Sequence, residues 1–202
     1  MNWLPRAVLL CLSLSSLLAG DAIVLLHHGN DPALDLSGKT YWYFHEAFRP
    51  SKLVTNAAGA GIAQWQNDPS EWGQGAQGFG RRYGSRLAVS LSTDTFQSIV
   101  GAATHADPRY VVLREGSTAH RAAFALAHGL ISRYDDGKER PAYSRFAGAI
   151  GSAYLARSWY PDRLTRERRT LEYAAENLGS YMVRNLIHEF RPEINRALHI
   201  KH

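Results

Sequence analysis

The chain has 202 residues, 45% hydrophobic and 20% charged, enough for one domain with a real core and too few to argue for two. Basic residues outnumber acidic ones 23 to 18 for a formal charge of +5. The resulting isoelectric point near 9.5 favours an anionic neighbour.

Residues 4–19 read as an export signal. Arg6 supplies a positive start, Ala7 to Leu18 an apolar core, and Gly20 and Ala22 the small residues of a cleavage site. An uncleaved anchor is the alternative, because Ile23 to Leu26 extend the apolar character past Asp21. Leu18-Ala19-Gly20 imitates a lipobox, but Asp21 stands where the acylated cysteine belongs. Cys11, the only cysteine, lies inside the signal. A chain cut near Ala22 therefore has no disulfide, thiolate metal site or cysteine nucleophile.

The rest reads as helices. Residues 23–40, rich in Gly, Asp and Pro, form a linker, and residues 41–202 a single helical domain. Tyr41 to Gln66 is one or two helices divided at Pro50, Ser70 to Gly75 a turn, and Ala76 to Ala103 a long helix. His105 to Ser117 is a connector around Asp107-Pro108. Thr118 to Tyr134 is the next helix, capped by Ser117 or Thr118. Asp135-Asp136-Gly137 is a turn that either closes this helix or joins a short hairpin of residues 131–143. Ser144 to Trp159 is helical, ended by Tyr160-Pro161-Asp162. Thr165 to Phe190 is a helix with Thr165 as N-cap and one apolar face of Leu171, Ala174, Ala175, Leu178, Met182, Leu186 and Phe190. Arg191-Pro192 stops it, and a short amphipathic tail follows.

Two stripes of small residues stand out: Ala76, Gly80, Gly84 and Ala88, and Gly148, Ser152 and Ala156 flanked by Ala149 and Ala153. Such stripes let backbones approach closely, either inside one bundle or between molecules. No run of about 20 apolar residues follows the signal. Sustained alternating strands of the outer-membrane barrel type are also missing.

Few residues carry a chemical signal. Ile23 to Gly29 imitates a hydrolase oxyanion loop, yet the chain has no Gly-x-Ser-x-Gly. His45-Glu46 and His188-Glu189 do not extend to His-Glu-x-x-His, so no metal or cofactor is expected. Glu71, between Trp65, Trp72 and Phe79, is the candidate acid for glycan chemistry, with Asp68 or Asp94 as partner. Aromatic walls would raise its pKa; a solvated turn is the plainer reading. Arg81, Arg82 and Arg86, with Phe79 and Tyr83, are candidates for resting on an anionic surface. Arg163, Arg166, Arg168 and Arg169 form a second basic cluster.

Four stretches resemble, as a set, a group of uncharacterised signal-bearing bacterial envelope proteins. They are Glu71 to Gly84 (EWGQGAQGFGRRYG), Asp107 to Tyr110 (DPRY), Tyr160 to Asp162 (YPD) and Glu189 to Ile194 (EFRPEI). The likeness spans roughly residues 45–195 and implies export and a helical fold, with no catalytic residue to transfer.

The expectation is thus an all-α compact bundle of five or six helices with Gly/Ala/Ser seams and one short hairpin near 131–143. Its expected place is the periplasm or the outer-membrane periphery. The function expected is non-enzymatic, structural or interaction-based, with envelope components, an anionic lipid surface or a second copy of the chain as partner, and no nucleic acid. Alternatives are a periplasmic hydrolase of cell-wall glycan or lipid, and a carrier of lipid or another small ligand.

Overall fold

The computed structural model describes residues 32–113, 115–197 and 199. The expected signal, 1–22, and residues 23–31 of the expected linker lie outside the described residues.

Asp35 starts the first helix, α1 (Leu36–Ala47), by accepting the Gly38 amide at 2.7 Å. The helix thus begins inside the stretch read as linker, because a single capping carboxylate is enough to nucleate its first turn. Pro50 occupies the first turn of α2 (Pro50–Trp65), where its missing N–H leaves nothing unsatisfied. A 3₁₀ turn at Ser70–Trp72 leads into α3 (Gly75–Thr104), the 30-residue spine of the molecule. It ends with His105 in left-handed conformation (φ 59°) and the Ala106 amide bonded to Gly101 O at 2.9 Å.

The helix expected over 118–134 is shorter. α4 spans Thr118–Ala127, capped by Ser117, and the chain then enters a hairpin, β1 (Ile131–Arg133) against β2 (Glu139–Pro141). The pair is antiparallel with Ile131 opposite Pro141, and Gly137 (φ 79°) closes the turn. Both edges of this turn hold the connector: Asp107 N donates to Arg133 O and Asp135 N to His105 O, at 2.8 and 2.9 Å. Those bonds favour strand over a continued helix.

α5 (Tyr143–Ala156), α6 (Glu167–Glu189) and the short α7 (Arg191–Ala197) complete the chain. The most extensive packing is α3 against α5. Gly148, Ala149, Ser152, Ala153 and Ala156 are all buried there, so this stripe is an internal seam. The other stripe, Ala76, Gly80, Gly84 and Ala88, is exposed; α3 turns Gly78, Arg82, Ser85, Val89 and Thr93 inward instead.

Two details of α6 differ from expectation. Thr165 does not cap it: its hydroxyl donates to Asp162 O at 3.0 Å, and Arg166 is the residue at the cap. The buried face is Thr170, Ala174, Tyr181, Asn185, His188 and Glu189, while Leu171 is 50% exposed. The face toward the bundle is set by polar partners on α3: Tyr181 OH donates to Gln97 Oε1 at 2.8 Å, and Asn177 Nδ2 to Thr93 Oγ1 at 3.4 Å.

Candidate functional site

Glu71 is exposed and bound to Arg163, Nε to Oε1 at 2.7 Å, while the same guanidinium reaches Asp68 Oδ1 at 2.7 Å. Arg163 holds the Glu71 carboxyl below its ordinary range, the reverse of what an acid catalyst needs. Its aromatic neighbours do not enclose it: Trp65 is 84% exposed, and Trp72 turns to Tyr160, ring centroids 5.2 Å apart. Asp94 sits elsewhere, paired with Lys52 and pushed up by burial. The expectation that aromatic walls raise the Glu71 pKa is therefore corrected, whereas Asp68 does stand beside it on the shared Arg163 guanidinium.

Arg82 is corrected as well. It is 1% exposed and donates to the carbonyls of Asp68, Pro69 and Gly73 at 3.1, 2.6 and 2.7 Å and to Gln64 Oε1 at 2.6 Å. It fastens the 64–73 loop and cannot reach a lipid surface. Arg86 also turns inward, passing where Gly59 lacks a Cβ, to line a cavity of about 220 Å³ with Tyr160 and Tyr173. Phe79 and Arg81 are exposed and Tyr83 is half-buried, with the two rings stacked at 6.2 Å. The second basic cluster is largely neutralised, Arg168 and Arg169 both pairing with Glu172.

The four resembling stretches meet as two clusters. Trp72 and Glu71 meet the 160–163 segment at one end. At the other, the fully buried Glu189 carboxylate accepts from Tyr110 OH, Leu113 N and Arg121 Nε at 3.0, 3.0 and 2.9 Å. Asp107 clamps Arg109 at 2.7 Å beside it. This second node is structural, and it fixes Pro108 and Tyr110 as one wall of a second, roomier cavity.

That cavity, of about 460 Å³, lies between α1, α3, the start of α5 and the end of α6. Its volume is that of a small-molecule site. Trp42, Tyr43, Phe44, Ile99 and Pro108 make its apolar walls. Arg145, Arg184, Asn185 and His188 make a polar side. Tyr43 OH and Thr95 Oγ1 bond at 2.9 Å, tying α1 to α3, and Lys39 ties α1 to Asp135 of the hairpin turn at 2.7 Å.

The electrostatics of the polar side are unusual. Arg145 is 5% exposed, and burial together with Arg184 pulls its guanidinium down to about 10. Its cation and that of Arg184 lie 5.8 and 4.7 Å from the centroid of the Tyr181 ring. His188, one turn beyond Arg184, is pushed down to about 3 by burial and then by Arg184, Arg191 and Arg49. It is neutral at pH 7, and its Nδ1 is buried with no hydrogen-bond partner. The arrangement offers a preformed apolar volume with cationic and neutral donors on one side. It suits binding.

Arg145, Arg184, Asn185 and Tyr181 were missed by sequence reasoning, which weighed His188 only as half of a His-Glu pair. The available signal was Tyr181, Arg184, Asn185 and His188 recurring at helical spacing on α6. Among the described residues no three His, Cys, Asp or Glu side chains come together as metal ligands, and no helix is long and apolar enough to cross a membrane. No protein-family model, curated protein or solved structure matches the chain significantly.

Proposed function

We propose that this protein is a non-enzymatic binding protein that holds a small amphipathic ligand in the cavity between α1, α3, α5 and α6. This is the carrier reading, and the observation behind it is the 460 Å³ volume with aromatic walls and one polar side. Leu36, Phe44 and Ile99 line the mouth and are 69, 55 and 61% exposed, which favours loading from an apolar phase. An envelope location belongs to the same proposal, supported by the export-signal pattern of residues 4–22.

The test is titration with a neutral apolar fluorophore, N-phenyl-1-naphthylamine, against the intact protein and the Ala102→Trp variant. Ala102 lines the cavity, and an indole there intrudes on it. Saturable fluorescence enhancement is expected for the intact protein and is clearly weakened in the variant, whose helical circular dichroism is retained. Equal binding by both, or by neither, refutes the proposal.

A further inference from the structure

We infer that the cavity ligand carries a single oxyanion head group, a carboxylate or phosphate, received by Arg145 and Arg184, with its apolar tail against Trp42, Phe44 and Ile99. The inference rests on the binding proposal and names the class of ligand.

The charges around the cavity decide it. Lys39, Arg49, Arg145 and Arg184 line it as cations, Glu46 and Asp94 as anions. Both carboxylates are already engaged, Glu46 by Arg49 at 3.2 Å and Asp94 by Lys52, and Lys39 is bound to Asp135. That leaves Arg145 and Arg184, neither of which has a carboxylate within ion-pair distance among the described residues. Arg184 is exposed at the cavity edge, but Arg145 is buried, and a buried cation without a counter-ion is costly.

A structural role accounts for only part of Arg145. Its Nη1 donates to the carbonyls of His128 and Ile131, holding the end of α4 to the hairpin. Its Nε and Nη2 edge has no protein acceptor among the described residues. That edge is the face of a guanidinium that takes two oxygens of one carboxylate or phosphate side by side. Tyr181 fixes the approach: its hydroxyl is anchored on Gln97, and both guanidiniums lie against its ring. His188, on the same helical face, is neutral and adds no competing charge.

The test uses three twelve-carbon probes, dodecanoate, dodecyl phosphate and dodecanol, each displacing N-phenyl-1-naphthylamine at pH 7. A charge-assisted hydrogen bond is worth roughly 1.5–3 kcal/mol, so at least one anion should bind about tenfold or more tightly than the alcohol. Which anion wins identifies the head group. Arg184→Gln, an exposed helical position that does not threaten the fold, should cut the anion-to-alcohol ratio at least about fivefold. Arg145→Lys, which retains charge without the two-pronged edge, should lower it as well. Equal affinity for alcohol and both anions, with the fluorophore still displaced, overturns the head-group inference and spares the binding proposal. Failure of the fluorophore itself overturns both.

Discussion

The two small-residue stripes provide a matched pair of substitutions in which one term cancels. Gly80 and Gly148 both lie in helix interiors, and alanine is favoured over glycine there by roughly 0.8–1.0 kcal/mol. At Gly80 an added Cβ meets nothing within 4 Å. Gly80→Ala should therefore gain the propensity alone, about 1 kcal/mol, or about 2–4 °C in Tm for a chain of this size. At Gly148 the same atom falls 2.9 Å from the Thr93 carbonyl oxygen and 3.3 Å from Gln97 Cβ and Thr93 Cγ2. The nearest obstacle is backbone of a packed helix and cannot swing away, so overpacking of roughly 1–3 kcal/mol opposes the gain. Since propensity is common to both, the difference in Tm reads the steric term directly, about 2–12 °C with Gly148→Ala the lower. Thermal unfolding followed by circular dichroism measures it. Equal shifts in the two variants would show that the α3–α5 seam is not set by that close approach. A fall in Tm for Gly80→Ala would show the outer stripe to be covered by another molecule.

Arg82→Met leaves three loop carbonyls without their donor, so it should cost about 3–5 kcal/mol by denaturant titration, whereas Arg81→Met should stay within about 0.5 kcal/mol. A small effect at Arg82 would mean that the 64–73 loop holds its shape without it. His188 has a folded-state pKa of about 3 against an ordinary 6.5. Below 6.5 the unfolded chain takes up this proton first, so stability falls as pH drops toward 3, by at most about 1.4 kcal/mol per unit. His188→Gln should flatten that slope between pH 6.5 and 4 in urea titrations; an unchanged slope would place the acid sensitivity elsewhere.

Local chemistry made much of the fold legible. Pro50 marked the α1–α2 break, the small stripe on α5 marked the seam, and Asp135-Asp136-Gly137 marked the turn. What failed needed tertiary information. Composition does not separate Ala76-Gly80-Gly84-Ala88 from Gly148-Ser152-Ala156, because which stripe is buried depends on where the neighbouring helix lies. Arg82 read as a surface cation because its partners are backbone carbonyls, which leave no mark in a sequence. Arg145 and Arg184 sit on different helices, and no spacing rule joins them. On α6 the apolar positions chosen were one row away from the buried one, since Tyr181, Asn185 and His188 are held by hydrogen bonds and enclosure that a hydrophobicity pattern does not count.

The same small residues that close the seam explain why a cavity stands beside it. Helices lined by Ala, Gly and Ser approach closely along α3 and α5, while α1 packs through large side chains and buries only Ala47. The mismatch leaves 460 Å³ open. Were that volume dry and closed, at about 24 cal/mol per Å³ it would cost about 11 kcal/mol, comparable with the whole stability of a domain. Arg145 and Arg184 on its wall let water occupy it, so the unliganded fold does not bear that cost. A ligand that replaces this water binds only the folded chain and must raise its stability by mass action. At a hundredfold excess over Kd the gain is about 2.7 kcal/mol, or about 5–11 °C in Tm. The preferred twelve-carbon anion should produce that shift in the intact protein and a clearly smaller one in Ala102→Trp. An equal shift in both would mean that the anion binds outside the cavity, and helix spacing would then have no bearing on the ligand.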